Sequence, residues 1–123
     1  MDASATATYL PLILQKANQL HEVVSTRLRD FKNSNKITEK LDVLAETLRN
    51  AEKTSLKNES FFSNLNEVSA TLDAIQYQVD KYLRVNRVKR KFIASSTRHK
   101  ITSLLQALTF SIRLIDAVFV RPP

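Results

Sequence analysis

Residues 101–119 read ITSLLQALTFSIRLIDAVF, and their apolar positions repeat with the period of an α-helix. One face carries apolar residues at alternating steps of four and three: Ile101, Leu105, Leu108, Ile112, Ile115 and Phe119. Further apolar residues widen that face: Leu104, Phe110, Leu114 and Val118. A dimerising coiled coil needs only a narrow apolar stripe. The width of this face therefore favours a central helix of a closed bundle over an open coiled coil.

Earlier segments carry stripes with the same spacing and predict three more helices. The first starts near Thr8 and places Pro11 in its first turn, where a missing N–H is harmless. The second covers residues 37–51, and the third ends near Leu83. Their apolar positions are Ile13, Ala17, Leu20, Val24, Leu28 and Phe31; Ile37, Leu41, Leu44, Leu48 and Ala51; and Phe61 or Phe62, Leu65, Val68, Leu72, Ile75, Val79 and Tyr82.

Polar segments between the stripes predict helix caps and connections. Residues 33–35 (Asn-Ser-Asn) end the first helix and can cap the second, and residues 53–60 (KTSLKNES) form the next connection. Residues 95–97 (Ser-Ser-Thr) are candidate N-caps for the last helix. The stripe is interrupted over residues 84–94, where one short helical turn fits Val88, Phe92 and Ile93.

These patterns predict an all-α fold, an antiparallel four-helix bundle with a short extra helical segment before the last helix. A chain of 123 residues fits a single domain. We place the bundle at residues 8–120, with a flexible N-terminus at 1–7 and a C-terminal tail, or the boundary of a fragment, at 121–123. The chain contains no Gly, which disfavours sheets, tight hairpins and loops that cradle phosphate.

The sequence has no arrangement typical of catalysis. It contains no Cys, which excludes a disulfide framework and thiolate metal sites. Neither His21 nor His99 has an acidic residue at the spacing of a helical di-iron or zinc motif. We place His21 on a polar helix face beside Glu22, and His99 in the first turn of the last helix. Without an acid–base pair, an activated nucleophile or a nucleotide loop, we expect no enzyme, no metal and no cofactor.

The net charge of +7 is concentrated in one segment. Residues 81–100 hold eight Lys or Arg and no acid, whereas the remaining eleven cations and twelve acids give −1. Part of this charge could oppose the dipole of the third helix, through Lys81 and Arg84, and the rest could solvate a loop. A solubilising surface usually mixes both signs, however, so the segment favours an anionic partner.

Two anionic partners fit this segment. Nucleic acid phosphates would attract its cations, and Tyr82 or Phe92 could stack on bases, but no recognition-helix or sheet-aromatic module is visible. Anionic lipid headgroups attract basic residues by about 1 kcal/mol each, and the apolar residues among the cations can enter the interface. We therefore favour lipid. No uncharged run reaches the roughly 20 residues of a spanning helix, so we expect a cytoplasmic protein that binds at the membrane surface.

A family resemblance lies over residues 59–118, which contain a long apolar-striped helix, the basic segment VKRKFIAS (88–95) and a final Leu-rich helix. This region resembles the N-terminal four-helix bundle, of the HeLo type, of the mixed lineage kinase domain-like (MLKL) proteins and their fungal and plant relatives. The resemblance is weaker over residues 8–57.

The resemblance implies a membrane-targeting, self-associating effector domain in regulated, necroptosis-like cell death or innate immunity. Such a domain is controlled by a regulatory domain or an upstream signalling protein, is recruited from the cytoplasm to the plasma membrane, oligomerises on activation and permeabilises the bilayer. Its basic residues bind anionic phospholipids, and the matching candidates here are Arg84, Arg87, Lys89, Arg90, Lys91, Arg98 and Lys100. The alternative is a helical adaptor that binds only protein partners, and a nucleic-acid binder ranks third.

Bilayer insertion would need apolar residues outside the core. Tyr9, Leu10, Leu12 and Leu14 extend around the first helix outside its stripe, and they are insertion candidates together with Phe92. The four residues near the N-terminus could instead pack against a neighbouring helix or another domain.

Overall fold

The computed structural model of the chain is built from four α-helices. It describes residues 3–53 and 59–120, with residues 3–8 described by their backbone. The helices are α1 (Ala3–Arg27), α2 (Ser34–Glu52), α3 (Glu59–Arg84) and α4 (Arg87–Ile115), and α4 continues as a π-helical turn, Asp116–Val120. The described residues contain no strand, so the predicted all-α four-helix bundle is confirmed.

Two antiparallel hairpins, α1–α2 and α3–α4, pack side by side with α1 against α3 and α2 against α4. The contacts between the first and third helical segments advance in the same direction along both: Tyr9–Phe62, Lys16–Asp73, Phe31–Tyr82. These two helices are therefore parallel, and so are α2 and α4. The predicted antiparallel arrangement holds within each hairpin, whereas the sides that join the hairpins are parallel.

The predicted stripes form most of the core, whereas Tyr82 of the third stripe and Leu105 of the last are half-buried against it. Every stripe position of α1 and α2 is buried, and α3 directs Phe61 inward while Phe62 stays half-buried. Burial of each large apolar side chain stabilises the fold by about 1.5–3 kcal/mol. Edge-to-face aromatic pairs lie at both ends of the bundle: the ring centroids of Phe61 and Phe119 are 4.9 Å apart, and those of Phe31 and Tyr82 are 5.0 Å apart.

The last helix begins earlier than predicted. Its N-cap is Asn86, whose side-chain oxygen accepts a hydrogen bond from the backbone N–H of Lys89 at 2.8 Å. The predicted caps at 95–97 lie inside α4, and the predicted separate helical segment is the first part of the same helix. The helix continues through 95–97 because Ser and Thr inside a helix cost only about 0.5 kcal/mol each.

The first helix also begins before its predicted start near Thr8. It starts at Ala3, so Pro11 lies inside the helix rather than in its first turn. A proline there removes one backbone hydrogen bond, and the buried side chains of Leu10 and Ile13 hold this part of α1 in the core. Of the segments predicted to be irregular, residues 3–7 are helical, whereas residues 1–2, 54–58 and 121–123 lie outside the described residues.

Backbone hydrogen bonds hold the turn between α1 and α2. Asn33 adopts the left-handed conformation (φ 71°, ψ 16°), which Asn tolerates better than most residues other than Gly. Its side chain makes no capping hydrogen bond, contrary to the predicted cap. The N–H groups of Ser34 and Lys36 donate to the carbonyls of Phe31 and Asn33, both at 3.0 Å.

Candidate anion-binding surface

Arg90 fastens the start of α4 to the end of α3. Its guanidinium group donates hydrogen bonds to the carbonyl oxygens of Leu83 at 2.8 Å and Val85 at 3.0 Å, and it lies 5.5 Å from the centre of the Tyr82 ring. Carbonyls at a helix C-terminus have no donor within the helix, so Arg90 satisfies groups that need a partner. Arg90, predicted to bind lipid, is thus half-buried and engaged within the hairpin.

Replacing Arg90 with alanine is expected to lower the free energy of unfolding by about 2 kcal/mol, because hydrogen bonds from a charged donor and a cation–π contact are lost together. Urea denaturation followed by circular dichroism measures this change. Arg87→Ala removes an exposed cation at the same hairpin and is expected to cost less than about 0.5 kcal/mol. Equal costs for the two variants would contradict the structural role of Arg90.

Five of the other six predicted lipid-binding residues are more accessible than Arg90. Arg98 is half-buried beside α2, and the remaining ones are exposed: Arg84, Arg87, Lys89, Lys91 and Lys100. Among the described residues, none of these six cations forms an ion pair with an acidic side chain. Their charge is therefore not compensated within this part of the chain and remains available to an external anion.

Two exposed apolar side chains lie among these cations. Phe92 is 82% exposed and Val88 is 67% exposed, and a spacing of four residues places them on the same outward face of α4. Lys89 and Lys91 flank this face on its two sides. At 100° of rotation per residue, they lie about 60° and about 100° from Phe92 around the helix, in opposite directions. An apolar centre with cations on both sides is the arrangement of a helix that binds at a membrane interface.

The fold adds a second basic segment that the sequence analysis missed. Residues 27–36, from the end of α1 through the turn to the start of α2, carry four exposed cations (Arg27, Arg29, Lys32, Lys36) and one acid (Asp30). The contact between Phe31 and Tyr82 brings them to the same end of the bundle as residues 81–100. We call these two segments the basic end.

The basic end concentrates charge more strongly than either segment alone. It holds twelve of the nineteen Lys and Arg residues and one of the twelve acids, a net charge of +11, and the rest of the chain carries −4. Clustered like charge raises the local potential and attracts anions over distances of about a Debye length, roughly 8 Å at physiological salt. The chemistry that this surface supports is the binding of an extended anionic partner.

The N-terminal insertion candidates are mostly occupied within the bundle. Leu10, predicted outside the stripe, is 1% exposed and belongs to the core. Tyr9 packs on Phe62, with the ring centroids 5.2 Å apart, and Leu14 is half-buried. Only Leu12 among these four is exposed. Insertion by Leu10 would remove a core residue, because it lies on the inner side of α1.

The histidines have different surroundings from those predicted. His21 Nε2 lies 3.2 Å from Asp42 Oδ1 and links α1 to α2, whereas its expected neighbour was Glu22. His99 is exposed well inside α4, because that helix begins at Arg87. Within the described residues, no three His, Asp or Glu side chains lie close enough together to hold a metal ion.

Comparison with known proteins does not identify the chain. No protein-family model, no curated protein and no solved structure matches it. The resemblance to the MLKL-type bundle therefore stays a prediction, and the function is argued from the surface of this bundle.

The helix from Arg87 to Val120 is long and apolar enough to cross a membrane by length and composition. Its most apolar window has a mean hydropathy of 1.6, although the sequence analysis found no uncharged run of spanning length. Core helices of soluble bundles pass the same test, so this finding does not assign a span. Only 28% of the window is buried, however, which leaves apolar surface exposed on α4.

Proposed function

We propose that this bundle binds anionic phospholipid surfaces through its basic end and has no catalytic activity. The cations of the basic end dock on the headgroups, and Phe92 and Val88 enter the interface between them. This docking step is peripheral, because the described helices keep their core inside the bundle. Arg90 supports the surface from within the hairpin instead of contacting lipid.

A single observation carries this proposal: exposed apolar side chains lie among cations that have no acidic partners within the described residues. A nucleic acid would bind the same cations, and its bases could stack on Phe92, which is 82% exposed. It would not explain why Val88, which is 67% exposed, lies beside that ring. Placing both side chains in a lipid interface removes apolar surface from water, at about 25 cal/mol for each Å². This term adds to the electrostatic attraction and distinguishes lipid from other polyanions.

The biological setting of the proposal comes from the resemblance to the MLKL-type bundle. On that basis the chain is an effector domain of regulated cell death or innate immunity, cytoplasmic until activated and then recruited to the plasma membrane. Self-association and permeabilisation of the bilayer would follow docking, under the control of a regulatory domain or an upstream signalling protein. Phe92 is the insertion candidate that the surface supports best, with Leu12 the second exposed one.

A protein-binding adaptor is the second candidate, and exposed apolar residues outside the basic end favour it. Phe110 is 68% exposed and Val118 is 44% exposed, although both were predicted to widen the buried face of the last helix. Phe110 lies about 27 Å along α4 from Phe92, at 1.5 Å for each residue, and Val118 lies in the π-helical turn that follows α4. An adaptor would use this part of α4 to bind a protein partner and would not bind lipid.

Vesicle sedimentation separates these functions. We expect the chain to bind vesicles that contain phosphatidylserine, to bind phosphatidylcholine vesicles much more weakly, and to lose affinity as salt rises. Phe92→Ala is expected to lower the affinity about tenfold, since roughly 1.5 kcal/mol of apolar burial is lost.

Phe110→Ala is the matched control for this experiment, because it removes the same exposed side chain from the same helix outside the basic end. It is expected to leave vesicle binding unchanged. No binding to any anionic vesicle, in a chain whose circular dichroism shows a folded bundle, would reject the lipid proposal. Equal losses in Phe92→Ala and Phe110→Ala would show that the contact surface is not confined to the basic end.

A further inference from the structure

A groove runs between the parallel helices α2 and α4 where α2 begins. Its volume is about 380 Å³, within the range of sites that hold small molecules. Its apolar floor is formed by Phe31, Ile37, Ile101 and Leu105, and Val43, which is 46% exposed, lies at its edge. Ile37 and Ile101 are core residues, so the floor is part of the rigid bundle.

The rim of this groove is basic. Lys32, Lys36 and Lys40 line it from the α1–α2 turn and from α2, Arg98 lines it from α4, and Glu39 is the acid among its lining residues. Arg98 and Lys40 are half-buried, so part of each side chain packs against the bundle beside the groove. A ligand that satisfies both features must carry an anionic group and an apolar body.

We infer that this groove binds one single-chain anionic amphiphile, of the fatty-acid or alkyl-phosphate class. The head group lies against Arg98 and Lys36, at the basic end, and the chain runs along the floor toward Val43 and Thr109. Between Arg98 and Thr109, α4 rises about 16 Å at 1.5 Å for each residue, which gives the groove an elongated shape suited to an alkyl chain.

The size of the groove favours an amphiphile over a docked helix. A stable protein contact buries about 800 Å² on each partner, and a groove of about 380 Å³ holds a few side chains of such a partner at most. An alkyl chain fits the same space with its whole length in contact with the floor. The competing occupant is an acidic amphipathic helix, and binding of such a helix is one outcome of the test.

This site shares Lys32, Lys36 and Arg98 with the basic end but contains neither of the apolar residues proposed to enter the bilayer. Phe92, Val88 and Lys91 do not line the groove, so vesicle binding and amphiphile binding can be tested separately. A chain that binds vesicles normally but no free amphiphile would keep the proposed function and lose this inference.

The experiment titrates the chain with dodecyl phosphate and with dodecylphosphocholine, both below the concentrations at which they form micelles. The two probes share one alkyl chain and differ in net charge. Isothermal calorimetry measures affinity, and amide shifts in heteronuclear NMR spectra report where each probe binds. We expect dodecyl phosphate to bind at least about tenfold more tightly, because the cations of the rim contact an anion.

Adjacent substitutions on α4 supply a matched pair. Thr102→Trp places a large side chain in the groove and is expected to weaken dodecyl phosphate binding at least about tenfold, because it fills the site. Ser103→Trp adds the same side chain at the next residue, which is exposed and outside the groove, and it is expected to change nothing. Arg98→Gln tests the head-group contact without adding bulk. Its control is Arg113→Gln, at an exposed arginine of the same helix that lies outside both the groove and the basic end.

Loss of binding in Thr102→Trp and Arg98→Gln, with both controls unchanged, supports the site. Equal affinity for the two probes, or no effect of either groove variant, overturns it. Binding of a Glu- and Leu-rich helical peptide, with no binding of dodecyl phosphate, also overturns it and assigns the groove to a protein helix.

Discussion

Reversing the charge of Arg87, Lys89 and Lys91 to glutamate is expected to lower the affinity for phosphatidylserine vesicles at least about 100-fold. Each basic residue near an anionic membrane contributes about 1 kcal/mol, so three lost attractions amount to about 3 kcal/mol. Repulsion by the introduced carboxylates adds to this loss. The effect is expected to shrink as salt rises, because screening weakens attraction and repulsion alike.

The fold is expected to survive this triple reversal. All three side chains are exposed, and they lie in the first turns of α4, where negative charge interacts favourably with the helix dipole. Arg90 is left unchanged because it holds the carbonyls of Leu83 and Val85. A reversal that included Arg90 would mix lost binding with lost stability.

The matched control reverses Arg49, Lys53 and Arg113, which are exposed and lie outside the basic end. Both triple variants change the net charge of the chain from +7 to +1. Sedimentation with vesicles and circular dichroism are measured on both. If binding depends on net charge alone, the two variants lose affinity equally, and the proposal of a localised surface fails.

The core was predictable from the sequence because burial imposes a regular spacing. Ile13 to Phe31 in the first stripe and Ile37 to Ala51 in the second are all buried at the predicted positions. The width of the buried face of the last helix was less predictable. Phe110 and Val118 extend its apolar face in the sequence, yet both are exposed, since a bundle corner covers only part of a helix circumference. Apolar character alone does not distinguish a core residue from an exposed one.

The ends of the helices were harder to predict, because several capping signals in the sequence compete and each one is weak. Residues 95–97 resemble an N-cap, but Asn86 is an equally good cap and lies directly after α3. A Ser-Ser-Thr sequence without Gly or Pro does not end a helix, so α4 continues through it. The absence of Gly from the chain was the signal that could have favoured one long helix.

The candidate surfaces could not be predicted from the sequence, because they depend on contacts between helices that periodicity does not reveal. The cations of residues 27–36 join those of residues 81–100 only because Phe31 packs on Tyr82. The groove exists because α2 packs beside α4, and helix pairing across the bundle cannot be predicted from stripes that all have the same spacing. The inward role of Arg90 likewise requires knowledge of which carbonyls end α3.

The second large effect is expected at the opposite end of the bundle, where Phe61 and Phe119 meet. Phe61→Ala is expected to lower the free energy of unfolding by about 3–5 kcal/mol, as typical for removal of a fully buried aromatic ring. Phe61 is 0% exposed and lies in the first turn of α3, against the π-helical turn that follows α4. The lost stability is the sum of the transfer free energy of the ring and the cost of the cavity that it leaves behind.

A double-mutant cycle with Phe119→Ala isolates the contact between the two rings. Edge-to-face pairs contribute about 0.5–1.5 kcal/mol beyond burial, so the two losses are expected to be non-additive by that amount. Phe110→Ala, which removes an exposed ring from the same helix as Phe119, is expected to cost less than about 0.5 kcal/mol. Equal costs for Phe61→Ala and Phe110→Ala would contradict the packing of this end.

Phe61→Ala also separates stability from binding, because the Phe61–Phe119 pair and the basic end lie at opposite ends of the bundle. At a temperature where Phe61→Ala remains folded, its affinity for anionic vesicles is expected to equal that of the unmodified chain. A large loss of affinity in the folded variant would mean that the two ends are coupled, and that bilayer binding involves repacking of the core rather than docking of a preformed surface. Vesicle sedimentation at that temperature, with circular dichroism on the same samples, distinguishes a preformed surface from one created by rearrangement.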